Sequence, residues 1–255
     1  MADIKQAVQD QFGKVAANYL TSAVHAAGAD LALLANQMRP FPAASVLDAG
    51  CGAGHASAAV APLVREVVAF DLTATMLEQV RALAAQRGLA NIQTAQGDVE
   101  ALPFEDERFD HVVSRYSAHH WPNPAAALRE IRRVLKPGGR FVLSDIVSFD
   151  SFVLDTFLQT IELLRDLSHV RDHSAAQWLA LFAQAGLSAQ VNASWPVPLG
   201  FDAWVERIAT PPQNVAMIRA LFDAAPAEVG AAFAVQPNHD FTLQGALLVG
   251  EKPVR

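Results

Sequence analysis

Val46-Leu47-Asp48-Ala49-Gly50-Cys51-Gly52-Ala53-Gly54 reads as a buried strand that ends in a carboxylate and breaks into alternating glycines. Glycines in such a turn accept positive φ and remove the Cβ atoms that would keep a ligand off the main chain. Ala56 to Val64 follows as a helix whose unpaired N–H groups face the same spot. Strand, stripped turn and helix together form a unit that holds a small charged ligand against bare backbone. Cys51 reads as a small residue filling the turn.

Glycine turns also cradle nucleotide phosphates, so the neighbouring residues have to choose the ligand. The dinucleotide fingerprint needs a third small residue where this chain has His55. Asp48 at the mouth of the turn would repel a pyrophosphate, yet it suits an ammonium group. The next strand, Glu66-Val67-Val68-Ala69-Phe70-Asp71, ends in an acid about 20 residues after the glycines, the place from which a carboxylate takes ribose hydroxyls. Ribose, cation and close backbone contact together describe S-adenosylmethionine. The plainer alternative, in which Asp48 caps the turn and Asp71 the helix after it, stays open at this point.

Strand and helix signals alternate through the first half, the pattern of a parallel sheet covered on both faces. Strands are expected at Ser45–Ala49, Glu66–Phe70, Ile92–Gln96, His111–Ser114 and Arg140–Ser144. A helix runs from Thr73 to a stop at Gly88; another starts at Asn123-Pro124 and halts at Lys136-Pro137-Gly138-Gly139. After Asp145 the pattern changes. Phe152 to Leu167 reads as one amphipathic helix and Ser174 to Ala185 as a second, while Leu187–Trp195 and Phe241–Val249 read as the last strands. Between those strands lies a long segment with helices at Phe201–Ile208 and Val215–Ala224, cover of the kind that builds a lid or a substrate wall. Gln6 to Met38 reads as two helices, and the spacing of Phe12 and Tyr19 places both on one face that either packs on the core or closes over the ligand. The expected organisation is one domain over 1–255, with a helical lid at 1–40, a ligand-binding core at 41–149, and cap insertions at 150–186 and 196–240.

The chain has 255 residues, long enough to bury a substantial core. A formal charge of −7 argues against a nucleic-acid backbone as partner, which would need a surplus of Lys and Arg. The one basic cluster, Arg129, Arg132, Arg133 and Lys136, falls at the end of a predicted helix, where cations complement the dipole. No apolar run approaches the roughly 20 residues of a membrane span, and the polar opening is no signal peptide, so a cytoplasmic protein, monomer or homodimer, is expected. A single cysteine excludes an internal disulfide, and His169 with His173 lacks the further ligands of a closed metal site, so no metal is expected.

Four segments carry a resemblance: VLDAGCGAGH from Val46 to His55, VVAFDLTATML from Val67 to Leu77, GDVEALPFEDERFDHVVSRYSAHHW from Gly97 to Trp121, and RVLKPGGRFVLSD from Arg133 to Asp145. With these in this order the chain resembles the class I S-adenosylmethionine-dependent methyltransferases, in the ubiquinone/menaquinone-biosynthesis-like branch and, within it, the YcgJ/YafE-like group of bacteria. The resemblance implies an α/β fold: a doubly wound, Rossmann-like, seven-stranded and mostly parallel sheet with an antiparallel last strand and helical cap insertions. It implies that Asp48, Gly50 and Gly52 hold the methionine part of the cofactor, with Arg115 backbone nearby. It also implies that Asp71 takes both ribose hydroxyls, that Leu72 packs on the adenine, and that Asp98 and the Val99 backbone read the ring edge. Cys51, Met76 and Tyr19 complete the expected cofactor set.

Methyl transfer from a sulfonium is an in-line displacement, so the protein's main task is positioning in a dry site. An acceptor that loses a proton also needs a base, and His119 and His120 follow the fourth strand, where a substrate would meet the donor. They are the candidate catalytic residues. Tyr116, His120 and Trp121 are candidates for the acceptor wall; Arg165 and His169, spaced i, i+4 on the predicted cap helix, are candidates for a polar group on the acceptor. The acceptor is expected to be a small molecule, aromatic or quinone-like. The alternative is a cofactor-binding protein without turnover, a sensor or partner subunit. These two differ in whether the space above Tyr116–Trp121 is open.

Overall fold

The computed structural model describes residues 3–20 and 28–254, with side chains from residue 15 to residue 20 outside the description. Helices α1 (Ile4–Leu20) and α2 (Ala29–Asn36) precede β1 (Ser45–Ala49). Then follow α3 (His55–Val60), β2 (Glu66–Asp71), α4 (Ala74–Arg87), β3 (Ile92–Gln96), β4 (Phe109–Arg115), α5 (Pro124–Val134) and β5 (Leu135–Val147). The second half holds α6 (Phe152–Arg165), α7 (Ala175–Gln184), β6 (Ser188–Leu199), α8 (Phe201–Arg207), α9 (Pro212–Asp223), α10 (Ala227–Ala232) and β7 (Phe241–Glu251).

The seven strands form one sheet in the order β3-β2-β1-β4-β5-β7-β6, with β7 antiparallel to both neighbours and β1 through β5 parallel. Alternation along each strand feeds two cores. Leu47, Val68, Val112 and Phe141 pack with Trp121, Trp178 and Phe182 on one face, whereas Val46, Val67, Val113 and Val142 pack with Leu34 and Met38 on the other. Buried on both faces at their centres, these strands carry short apolar runs there. A third cluster, with Leu158, Ile161, Phe201, Trp204, Phe222 and Phe233 at its centre, joins α6 to α8, α9 and α10.

Local chemistry sets the boundaries. Asn123 caps α5 by accepting from Ala126 N at 3.0 Å, with Pro124 in the first turn. Ser174 and Gln177 form a capping box on α7. The predicted stop at Lys136–Gly139 is real for the helix but not for regular structure, because β5 begins at Leu135, beside Phe109 of β4. The chain packs so closely there that a Cβ on Gly139 would lie 2.6 Å from the Asp110 carbonyl oxygen. Pro196 and Pro198 extend β6 beyond the expected Trp195; they are tolerated because β6 is an edge strand, with one side free of ladder bonds.

One correction bears on the site. The predicted helix to Leu167 ends at Arg165, since Asp166 is extended at φ −138° and its Oδ1 accepts from both Ser168 N at 2.8 Å and Ser168 Oγ at 2.7 Å. A side chain that offers the backbone this local alternative competes with the next helical turn. Arg165 and His169 therefore do not share a helix face.

Candidate active site

The carboxyl ends of β1 through β5 meet at the point where strand order reverses, between β1 and β4, the place where open α/β sheets bind ligands. At the end of β1 the N–H groups of Gly50 and Cys51 both donate to the Phe70 carbonyl, at 2.8 and 3.0 Å, curling the turn against β2. Gly50, at φ 74°, faces Ser117 so closely that a Cβ would fall 1.9 Å from its Oγ. Gly52, at φ 50°, is the reverse: a Cβ there would meet no atom within 4 Å. That open space belongs to a cavity of about 1000 Å³, its mouth included, lined by the turn, by Asp71, Leu72 and Met76, by Asp98 and Val99, and by Arg115, Tyr116, His120 and Trp121.

The two acids that motivated the sequence reading lie at different depths. Asp71 lines the cavity, its Oδ2 accepting from Gly52 N at 2.9 Å and its Oδ1 from Thr73 N at 2.8 Å. Burial raises its pKa against those bonds. Asp48 is fully buried beneath the turn, with Oδ2 accepting from Ser57 Oγ at 2.6 Å and Oδ1 without a hydrogen-bond partner among the described residues. Burial pushes its pKa up to about 6. It can act on a ligand only through the turn or a water, not by direct side-chain contact. Cys51 is buried in the turn, and burial raises its thiol well above the usual range.

Helix α1 roofs the cavity with Lys5, Val8 and Phe12. Lys5 Nζ pairs with Asp98 Oδ2 and Glu100 Oε2, at 2.5 and 2.8 Å, and Gln9 donates to the Leu72 carbonyl at 3.0 Å. The Phe12 ring meets His120 edge-on with centroids 4.9 Å apart. Tyr19, the other residue of that predicted face, lies with its side chain outside the described residues. Arg115 pairs with Asp30 of α2 and lies 4.7 Å over the Tyr116 ring. Tyr116 itself holds φ 49°, a costly conformation for a non-glycine residue of the kind that gathers at functional sites.

A second cavity, of about 650 Å³ with its mouth, adjoins the first through Phe12, Tyr116 and His120. Ile146, Val197, Leu199, Trp204, Ile208 and Leu243 form its apolar side. Its polar side comprises His119, His120, Glu162, Arg165, Asp166, Asp172 and Arg207. The space above Tyr116–Trp121 is thus open. Arg165 reaches it while pairing with Glu162 at 3.1 Å and donating to the Trp204 carbonyl at 3.1 Å. Trp121 lines only the first cavity, packed against Trp178. His169 lines neither; it lies behind the histidine pair, 5.7 Å from the His119 ring and 6.4 Å from that of His120. Among the described residues no three metal-binding side chains converge.

His119 and His120 have contrasting partners. His119 Nδ1 meets Asp145 Oδ1 at 2.7 Å, while Asp145 also accepts from Ala118 N and Ile146 N. Burial opposes charge on His119, but Asp145, with Asp172 and Glu162 beyond it, outweighs burial and raises the pKa to about 9. His120 Nδ1 faces the Ser168 carbonyl at 3.0 Å; burial and the charge on His119 lower its pKa to about 4. His169, disfavoured as a cation by burial and then by both neighbours, falls to about 2. The backbone carbonyl of His119 also accepts from Val170 N and Arg171 N, clamping the loop after α6 onto the pair.

These shifts predict a pH profile. His119 carries a folded pKa above the ~6.5 of an unfolded histidine, so its contribution to stability is complete below that value and lost as pH rises towards 9. His120, His169 and the buried His111, lowered to about 4, do the opposite: the unfolded chain takes up their protons first, so stability falls as pH drops below about 6.5. Thermal melting against pH should show both limbs, and Asp145→Asn should flatten the alkaline one while the acid limb remains. An unchanged alkaline limb in that variant would remove the ion pair as its cause.

Sequence reasoning missed Lys5, Ser57, Asp145, Glu162, Asp172 and Arg207. Asp145 alone had a usable signal, since it ends the apolar part of the fifth strand as Asp71 ends the second.

A sheet whose reversal point offers a stripped turn, a carboxylate one strand over and two adjoining cavities defines an α/β protein that holds its ligand at the carboxyl ends of the strands. The chain belongs to the class I S-adenosylmethionine-dependent methyltransferases, in the branch that includes the YcgJ, YafE and UbiE-like enzymes. The family described as a methyltransferase domain matches residues 47–143. The YafE protein of Escherichia coli is 46% identical over 193 residues, covering 76% of this chain and 93% of its own. The YcgJ methyltransferase of Bacillus subtilis is 36% identical over 246 residues, covering 94% and 97%. Its crystal structure superposes with a TM-score of 0.85, covering 89% of this chain and 99% of that one. The cofactor is S-adenosylmethionine, and the turn fits it: Gly52 lines the cavity, and a Cβ there would meet no atom within 4 Å.

Proposed function

We propose that this methyltransferase acts on a small, largely apolar acceptor bound in the second cavity, with the cofactor in the first. The observation that supports this most is that the two cavities share Phe12, Tyr116 and His120. In this reading Asp71 takes the ribose hydroxyls, Leu72 and Met76 flank the adenine, and Asp98 with the Val99 backbone reads its edge. Gly50, Cys51 and Gly52 carry the methionine part, with Arg115 beside it and Asp48 supporting the turn from below. Val197, Leu199 and Trp204 face the body of the acceptor; Tyr116 and Arg165 border its reacting end.

The bound cofactor supplies a methyl group on a sulfonium, whose charge disappears as the group leaves. The chain's contribution is then to hold the acceptor in line and keep water out, and orientation of this kind is worth roughly 7–11 kcal/mol of barrier. Lys5, Val8 and Phe12 of α1 close the cofactor side, while Trp204 and Arg207 of α8 wall the acceptor side.

Thermal melting with S-adenosylhomocysteine and, separately, with NAD tests the first cavity. A ligand at about a hundred times its dissociation constant adds about 2.7 kcal/mol, so stabilisation by the homocysteine compound and not by NAD is expected. Incubation with labelled cofactor and a small-molecule extract tests the second. Label recovered only on protein or nucleic acid would overturn the assignment of a small acceptor.

A further inference from the structure

The loop between α6 and α7 carries Asp172 to the polar side of the second cavity, where its side chain is only 2% exposed. One side chain of α6 grips its backbone: Gln159 Oε1 accepts from Asp172 N at 3.1 Å, and Gln159 Nε2 donates to the Asp172 carbonyl at 2.8 Å. The residue is held fast. Its carboxyl is less well served, because Oδ2 is closed to solvent and has no hydrogen-bond partner among the described residues. His169 Nε2 lies 3.8 Å from that oxygen, beyond hydrogen-bond reach, and faces Gln159 Oε1 at 3.3 Å instead. A buried polar group left in this way costs stability that a ligand bonding to it restores. We propose that Asp172 is a contact residue for the acceptor, donating its O–H to a carbonyl oxygen on an otherwise apolar molecule. This deepens the reading above and rests on the second cavity being the acceptor site.

Donation requires the protonated form, and the surroundings favour it. Burial pushes the Asp172 carboxyl well up; the charge on His119 opposes this, while Glu162 and Asp145 add to it. The neighbouring cations have carboxylates of their own. His119 meets Asp145 at 2.7 Å, Arg165 meets Glu162 at 3.1 Å, and Arg171 meets Asp155 at 2.6 Å. His120, His169 and His173 are all lowered and stay uncharged near neutrality. Arg207 and Asp166 complete the wall with opposite signs. With Asp172 neutral, His119, Arg165 and Arg207 balance Asp145, Glu162 and Asp166, so no surplus charge awaits an ammonium or a carboxylate. A neutral dipole fits such a wall. A carbonyl oxygen accepts what a protonated carboxyl donates, and Val197, Leu199 and Trp204 then face the carbon skeleton that bears it.

The experiment uses the full chain saturated with S-adenosylhomocysteine, its binding confirmed by calorimetry, and two probes of similar shape, 2-acetylnaphthalene and 2-ethylnaphthalene. Failure of the homocysteine compound to bind overturns the methyltransferase site itself. Failure of both probes on the loaded enzyme overturns the second cavity as acceptor site, and the proposal with it. Where both bind, the ratio of their dissociation constants reads the Asp172 contact. Asp172→Leu should lower the preference for the acetyl probe by about fivefold, the worth of one hydrogen bond, and Asp172→Asn, which keeps a donor, should recover most of it. An unchanged ratio in Asp172→Leu overturns the proposal.

Infrared spectra of the unaltered protein give a readout that does not depend on the folding of a variant. The carbonyl band of bound, carbon-13-labelled 2-acetylnaphthalene should lie below its position in hexane, and a protonated-carboxyl band of the protein should move as the probe binds. A carbonyl band at the hexane position, or no carboxyl band that moves, overturns the proposal. Tighter binding of 2-naphthylmethylammonium than of the acetyl probe also overturns it, by showing Asp172 to be an ionised acceptor.

Discussion

Asp71→Ala is expected to raise the dissociation constant for S-adenosylhomocysteine by about a hundredfold or more. On the proposed ribose contact the variant loses two hydrogen bonds to a charged acceptor, each worth about 1.5–3 kcal/mol. It also frees the Gly52 and Thr73 N–H groups that Asp71 now accepts from, so the turn loses its tie to β2 at the point where it meets the ligand. Asp71→Asn retains one acceptor oxygen and should recover part of the loss. Calorimetric titration measures both, with circular dichroism to check the fold. An Asp71→Ala protein that binds within about fivefold of the parent would show that the ribose is held elsewhere.

The second large effect is a contrast between two glycines of one turn. Gly50→Ala puts a Cβ 1.9 Å from Ser117 Oγ and 2.8 Å from Ser117 Cβ, at a φ of 74°. The left-handed conformation alone costs about 1–2 kcal/mol, and relief of the overlap requires the segment after β4, which carries His119 and His120, to move. Loss of about 3 kcal/mol or more of stability is expected, in the range of severe core substitutions. Gly52→Ala carries the same kind of φ penalty but meets no protein atom within 4 Å. It should lose only about 1–2 kcal/mol to that φ penalty, well short of Gly50→Ala, and bind the cofactor poorly. Denaturant unfolding beside cofactor titration separates the two; equal destabilisation by both would remove the packing argument for Gly50.

The reach of sequence reasoning differed between the two halves of the chain. β1 and β3 had the residues expected of them: β1 is buried along its whole length and bears a short apolar run, whereas β3 is the half-exposed edge of the sheet. Gly88 ended α4 and Asn123-Pro124 began α5, each through a local backbone effect that needs no tertiary partner. The fold and the family, and with them the cofactor, were legible for that reason. Where a distant group competed, the reading slipped. α6 stopped at Arg165 because the Asp166 side chain serves Ser168, and α10 has only six residues, too few to display a period.

The acceptor side was the least legible. Arg165 and His169 were paired by helical spacing, yet the extended backbone at Asp166 sends His169 behind the histidine pair while Arg165 borders the cavity. Asp145, Glu162 and Asp172 come from separate segments, and nothing in their spacing announces that they converge on His119.

Sequence alone determined the sheet, the stripped turn and the carboxylate that ends the second strand, because each depends on residues near one another in the chain and on a periodicity of two or a single turn. Tertiary structure alone decided that the pKa of His119 is raised and that of His120 lowered. Protonation follows the electrostatic field of whatever is packed alongside, and Asp145 and the Ser168 carbonyl reach the pair from segments 26 and 48 residues away.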